Sequence, residues 1–145
     1  MLYFRNQSNL VRVYYEFPLI EQPEDAFQKL IESIDDTEIW RGHLAIKRID
    51  QNNRESVLAF RNKRQTEWIG RRKEDLSILI KYGDGPIKGY QVFQVFDKKV
   101  VIRMDLKMKG LWYPFTRFAA IHILKGEIEA LRRLFPLTHP QESVK

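Results

Sequence analysis

The chain has 145 residues, 43% apolar and 30% charged, which suits one globular domain with its own core and excludes wholesale disorder. It holds no cysteine and three histidines, His43, His122 and His139. That excludes a disulfide framework, a thiolate nucleophile, an iron–sulfur cluster and a Cys-based zinc site, so no metal ligand set and no cofactor is assigned. Lys and Arg outnumber Asp and Glu by 25 to 19, and nearly all of the +6 excess lies in one run: Arg61, Lys63, Arg64, Arg71, Arg72 and Lys73, against Glu67 alone.

Met1 to Asn6 lacks a basic segment followed by an apolar one, so no signal peptide is expected there. No uncharged apolar stretch approaches the roughly 18 residues that span a bilayer. A cytoplasmic location is the expectation.

In chain order, Leu10 to Ile20 alternates as a half-buried strand, with Val11, Val13, Tyr15, Phe17 and Leu19 on one face. Pro23-Glu24-Asp25 opens a helix, because proline suits the first turn and the acids complement the dipole. Ala26, Phe27, Leu30, Ile31 and Ile34 form its apolar stripe, with an end near Asp35-Asp36 and a short second helix over Thr37 to Trp40. Strands follow over His43 to Asp50, Glu55 to Asn62, Glu67 to Arg72 and Leu76 to Tyr82. Gly83-Asp84-Gly85-Pro86 is a turn. Ile87 to Phe96 and Lys99 to Lys109 form a hairpin across Asp97-Lys98, with Val100, Ile102, Met104, Leu106 and Met108 sharing a face.

Gly110 breaks the last strand. Leu111, Phe115, Phe118, Ile121, Leu124, Ile128, Leu131 and Phe135 then recur at steps of three and four, a helical stripe of about six turns with Pro114 in its first turn. Residues 136–145 read as a frayed tail, leaving one domain with its core over about residues 10–135. Strands in a run with helices segregated at either side predict an α+β fold with an antiparallel sheet.

This order resembles the helix-grip fold of the START-like superfamily, also called SRPBCC or Bet v 1-like. The likeness rests on the opening strand followed by Pro23-Glu24-Asp25-Ala26-Phe27, on Trp40 after that helix, and on the strand from Lys99 to Met108 leading through Gly110-Leu111 into the last helix. The resemblance implies a curved antiparallel sheet of about seven strands wrapped around a long C-terminal helix, with an apolar cavity between them. It also implies a hydrophobic small molecule or lipid as ligand. Some members of the superfamily are cyclases or hydrolases, and many only bind.

Large apolar side chains near that expected cavity are Trp40, Phe60, Trp68, Tyr82, Tyr90, Trp112, Phe115 and Phe118, with Met104 as adaptable packing and Ala119 beside Phe118. His122, Arg117, Tyr15 and Tyr82 are its polar candidates, and none is assigned a catalytic role. Gly83-x-Gly85-x-x-x-Gly89 has one residue too many for a dinucleotide fingerprint and no helix after it, so it reads as a hairpin turn. The run from Arg61 to Lys73, with Trp68 inside it, reads first as two strands with solvated faces. An anionic membrane surface ranks second as its partner, and nucleic acid ranks last, since no nucleic-acid-binding motif is present. Binding without catalysis is the leading reading; an enzyme on the same scaffold and a basic interaction module are the alternatives. The sequence assigns no oligomeric state.

Overall fold

A computed structural model describes residues 2–7, 10–59 and 61–136, and of 3–7 and 111–113 the backbone alone. The expected tail beyond Pro136 lies outside the described residues.

All seven expected strands form, and an eighth precedes them. They are β1 (Leu2–Gln7), β2 (Leu10–Pro18), β3 (His43–Arg48), β4 (Asn53–Leu58), β5 (Arg64–Arg72), β6 (Ser77–Tyr82), β7 (Ile87–Phe96) and β8 (Lys99–Met108). They make one antiparallel sheet in the order β1-β2-β8-β7-β6-β5-β4-β3. The turns set the boundaries. Arg61 and Asn62 both take positive φ, 57° and 54°, so β4 ends at Leu58 and β5 begins at Arg64. Asp50 Oδ1 accepts the backbone N–H groups of Asn52 and Asn53 at 2.9 Å each and closes the β3–β4 turn.

Helix α1 (Pro23–Ser33) starts on Pro23 as expected and buries Ala26, Phe27 and Leu30. Residues 37–40 form a turn and not the short helix expected there. Asp36 Oδ1 takes the Glu38 N–H at 2.9 Å, and such local bonds compete with a helix too short to nucleate alone.

After Gly110 (φ 60°) the chain makes a 3-10 turn over Gly110–Phe115, and only then helix α2 (Thr116–Leu134). The expected stripe is kept at Leu124, Leu131 and Phe135, which are buried, and is corrected at Phe115 and Phe118, which are exposed. Steps of three residues, as from Phe118 through Ile121 to Leu124, turn about 60° short of a full circle each time, so Phe118 leaves the face that Leu124 holds. Thr116 Oγ1 accepts the Met108 N–H at 3.0 Å and fixes the rotation of the helix. The buried face of α2 is Thr116, Ala119, Ala120, Leu124, Glu127, Ala130 and Leu131, while Phe118 is 64% exposed.

Both helices lie on the inner face of the sheet. There α1 packs against β7, and α2 packs against β2 and β8. At its other end α2 reaches the segment leading into β3: Arg133 Nη1 donates to the Ile39 carbonyl at 2.7 Å. The helix thus bridges from β2 and β8 to the connection that feeds the far edge strand, which is the grip. Phe17, Phe93, Ile102, Met104, Leu131 and Phe135 form the centre of the core. Among the described residues no helix is long and apolar enough to cross a membrane.

Gly89 is the one sheet position that demands glycine. Its φ is 111°, and a Cβ there would overlap the Asp105 carbonyl oxygen across the β7–β8 pair. Gly89→Ala is therefore expected to lower unfolding stability by about 2–3 kcal/mol, read as a lower urea midpoint. An unchanged midpoint would mean that β7 has another backbone path at this point.

Candidate functional site

The inner face of the sheet divides into two chemistries. On β2, β7 and β8 it is almost wholly apolar. On β4 and β5 the same alternation turns Arg54, Ser56, Gln65 and Glu67 inward, each no more than 2% exposed. Charged side chains are seldom so buried without partners.

Arg54 has them. Its Nε donates to Glu67 Oε1 at 2.7 Å, and its Nη1 donates to the Ile34 carbonyl at 2.6 Å and to Asp35 Oδ1 at 2.8 Å. The Ile34 carbonyl belongs to the end of α1, where helix carbonyls lack intrahelical donors, so Arg54 also closes that helix. Arg48 binds the same Asp35 through two nitrogens, at 2.9 and 2.8 Å. Glu67 Oε2 accepts from Ser56 Oγ at 3.2 Å and lies 3.4 Å from His43 Nε2. A carboxylate only accepts, so Nε2 carries the hydrogen. Burial pushes the Glu67 carboxyl up, but the His43 hydrogen bond and the charges of His43 and Arg54 outweigh it and hold the group below its ordinary range. Burial likewise opposes the Arg54 charge, and Glu67 and Asp35 more than restore it.

A second polar chain descends from α2. Glu127, 5% exposed, accepts a short hydrogen bond from Gln91 Nε2 through Oε2, and Tyr82 Oη donates to Gln91 Oε1 at 2.9 Å. Burial raises the Glu127 carboxyl above its ordinary value; His43, the Gln91 bond and Arg54 pull the other way, and the Glu67 charge raises it further. Burial, then the charges of Glu67 and Glu127, hold the Tyr82 phenol well above 10.0, so it stays protonated.

Between these two polar groups lies a cavity of about 370 Å³. Its walls are His43 and Leu58 from β3 and β4, Tyr82 and Ile87 from β6 and β7, and His122, Ile123, Gly126 and Glu127 from α2, with the charged Arg41, Lys125 and Glu129 also lining it. It opens where α2 passes Gly42; a Cβ on Gly126 would stand 3.9 Å from the Gly42 Cα. A larger concavity of about 720 Å³ lies on the outer face over Tyr14, Tyr90, Arg103 and Asp105. It is open along one side and would cover little of a small ligand, so the inner cavity is the candidate site.

Of the side chains expected to line a cavity, Tyr82 and His122 do so. Trp40, Met104 and Ala119 are buried in the core rather than in the cavity wall; Trp40 stacks edge-on to Phe93 at 5.3 Å and donates from Nε1 to Ser33 Oγ at 3.1 Å. Four expectations are corrected. Trp68 and Tyr90 fall on the outward-facing positions of β5 and β7: Trp68 lies over Gly70 with Lys81 above its ring, and Tyr90 donates to Asp105 at 2.8 Å. Phe115 and Phe118 are exposed, off the face that Leu124 holds. Phe60, and the side chain of Trp112, lie outside the described residues.

The basic run is not one patch. Arg61, Lys63 and Arg64 sit at one end of β5, and Arg71, Arg72 and Lys73 at the other, roughly 26 Å away at strand rise. Arg64 is paired with Glu55 at 2.6 Å, and Arg72 lies 3.9 Å from Asp75. Glu67, the lone acid of the run, is the buried partner of Arg54.

His43, Arg54, Glu67, Gln91 and Glu127 were missed as site residues. The signal for Arg54 and Glu67 was available: strand alternation puts them in phase with the apolar Leu58 and Ile69. Among the described residues no group of three His, Asp or Glu side chains is placed to hold a metal ion.

No family model matches the chain, and no curated protein matches it in sequence. Solved structures do match in shape. A protein of Thermus thermophilus superposes with a TM-score of 0.67 at 12% identity, over 86% of this chain and 93% of that one. The ZhuI aromatase/cyclase of a Streptomyces species gives 0.60 at 12%, over 86% and 96%. The major latex-like protein of Panax ginseng gives 0.60 at 13%, over 83% and 96%. The fold shared with these structures is the helix-grip fold, an antiparallel sheet closed over a long C-terminal helix.

Two stability measurements test this electrostatic reading. Arg54→Met leaves the Glu67 charge buried and unpaired, and is expected to cost about 3–5 kcal/mol in urea unfolding, whereas Arg54→Met with Glu67→Leu recovers most of that loss. Equal losses in the single and double variants would show that the arginine acts mainly through α1. Glu127 holds its proton to higher pH when folded than when unfolded, so wild-type stability falls as pH rises from the ordinary value of 4.5 through the raised one. Glu127→Gln, which cannot ionise, is expected to match wild type near about pH 4 and to be the more stable near about pH 8. A gap independent of pH would mean that the carboxyl is not perturbed.

Proposed function

We propose that this protein binds a small, mostly apolar molecule in the cavity between α2 and the sheet. The observation that carries this reading is the cavity itself: about 370 Å³, with Leu58, Ile87 and Ile123 as apolar wall and Arg41, His43, Tyr82, His122, Lys125, Glu127 and Glu129 as its polar side chains. Ligand sites combine apolar walls for affinity with polar groups for orientation. The volume lies toward the small end of the roughly 300–1,000 Å³ usual for such sites. It suits a fused-ring system or a short chain better than a two-chain lipid.

Two of the polar groups near the cavity, Glu67 and Tyr82, are already occupied. Glu67 is committed to Arg54, Ser56 and His43, and Tyr82 is held protonated and bonded to Gln91. A base or nucleophile needs a free lone pair that develops reactivity, and these two have none to offer.

Gly126 supplies the test, because it lines the cavity at the point where α2 passes Gly42. The neutral probe N-phenyl-1-naphthylamine is expected to bind one-to-one with enhanced fluorescence. Gly126→Leu should fill the opening and weaken binding by roughly tenfold or more. Because leucine favours a helix over glycine by about 1 kcal/mol, the thermal midpoint should not fall. Probe binding unchanged by this substitution would reject the cavity as the site.

A further inference from the structure

Among the described residues, one buried polar atom on the cavity wall lacks a partner. His43 lines the cavity, and its Nδ1 is buried with no hydrogen bond. Glu127 lines the same cavity and is 5% exposed, and its Oε2 accepts from Gln91. Buried polar atoms are seldom left unbonded, and an orphan beside a cavity marks the place of a missing group. The two side chains come from opposite walls of the cavity, β3 and α2.

The chemistry of the missing group follows from what surrounds it. Arg54 and Arg48 are matched by Glu67 and Asp35, and the cavity wall also carries Arg41, Lys125 and Glu129. A charged ligand group would have to give up its water on entering, which is expensive. With Nε2–H facing Glu67, Nδ1 is a lone pair wanting a donor in the neutral imidazole and an N–H wanting an acceptor in the charged one. A ligand carbonyl only accepts and serves the charged form alone. A hydroxyl donates and accepts through one atom, so it can donate to the imidazole and accept from the carboxyl, or donate to the carboxyl directly.

We propose that His43 and Glu127 form the polar end of the cavity and select ligands that carry a neutral hydroxyl, a phenol or an alcohol, over their purely apolar counterparts. This rests on the cavity being the binding site. Gln91 and Tyr82 are the supports: Tyr82 orients the Gln91 amide, and Gln91 fixes the Glu127 carboxyl by one oxygen. A partner placed in advance loses little freedom when the ligand arrives.

The experiment compares naphthalene with 2-naphthol by equilibrium dialysis in sealed cells, both small enough for the cavity. A purely apolar pocket favours naphthalene, since the hydroxyl must give up its water. The proposal expects the reverse, with 2-naphthol binding roughly tenfold tighter. Glu127→Leu should erase the preference while retaining N-phenyl-1-naphthylamine, and His43→Phe should reduce it. The wild-type comparison stands even if a variant fails to fold. Equal binding of the two compounds, with N-phenyl-1-naphthylamine still bound, overturns the hydroxyl site and leaves the cavity standing. Failure of all three compounds to bind overturns both.

Discussion

The ion pair between Arg54 and Glu67 is the constraint on which the inner face of this sheet depends. Removing two charges from water costs several kcal/mol each, and mutual attraction repays this only when every remaining hydrogen-bonding atom is used. Here the arginine also takes the Ile34 carbonyl and Asp35, and the carboxylate takes Ser56 and faces His43. The pair therefore joins β4 to β5, ties both to the end of α1, and draws β3 in through His43. Hydrophobic contacts are non-directional and would let these strands slide closer. Hydrogen bonds to fixed acceptors do not. The polar half of the interior is held open by its own satisfaction, and the cavity lies along its border with the apolar half.

Helix α2 completes the enclosure because its inward face is made of small residues. Ala119, Ala120 and Ala130 let it sit close to β2 and β8, and Gly126 lets it pass Gly42 at the other side. Leu124 and Leu131 supply the apolar anchors between them. With Thr116 fixing its rotation through the Met108 N–H, Glu127 is carried into the interior and Phe118 out of it. A phase set by large side chains alone would do the opposite. The close approach of backbone, not the burial of aromatic area, decides which face of α2 turns inward.

This explains what was legible from the residues. The strands of β2, β7 and β8 were readable because one face is apolar throughout and period-two alternation is then unambiguous. Gly83 to Pro86 and Asp97-Lys98 marked their turns by chemistry that side chains cannot mimic. The polar half was illegible for the opposite reason. On β4 and β5 both faces carry charged or polar residues, so alternation marks the inner face only through Leu58 and Ile69, and a buried arginine looks like a surface one until its acid is placed across from it. Arg54 and Glu67 are thirteen residues apart and meet only through the register of β4 on β5, where Arg54 is opposite Glu67. Trp68 and Tyr90 failed as cavity residues by the same token: large aromatic side chains were read as interior, yet each is one position out of phase with the buried Ile69 and Gln91 beside it.

The division of the interior also bears on how a ligand would lie. An apolar cavity in a uniform core holds its occupant by area alone, and area does not distinguish one end of a molecule from the other. In this cavity Leu58, Ile87 and Ile123 are set against His43 and Glu127. Any ligand with one polar end meets a steep difference between two orientations, since the wrong one leaves two groups without hydrogen bonds: the ligand's own and the imidazole. Orientation is then decided before affinity. The buried network that costs the fold part of its stability is what gives the cavity a direction.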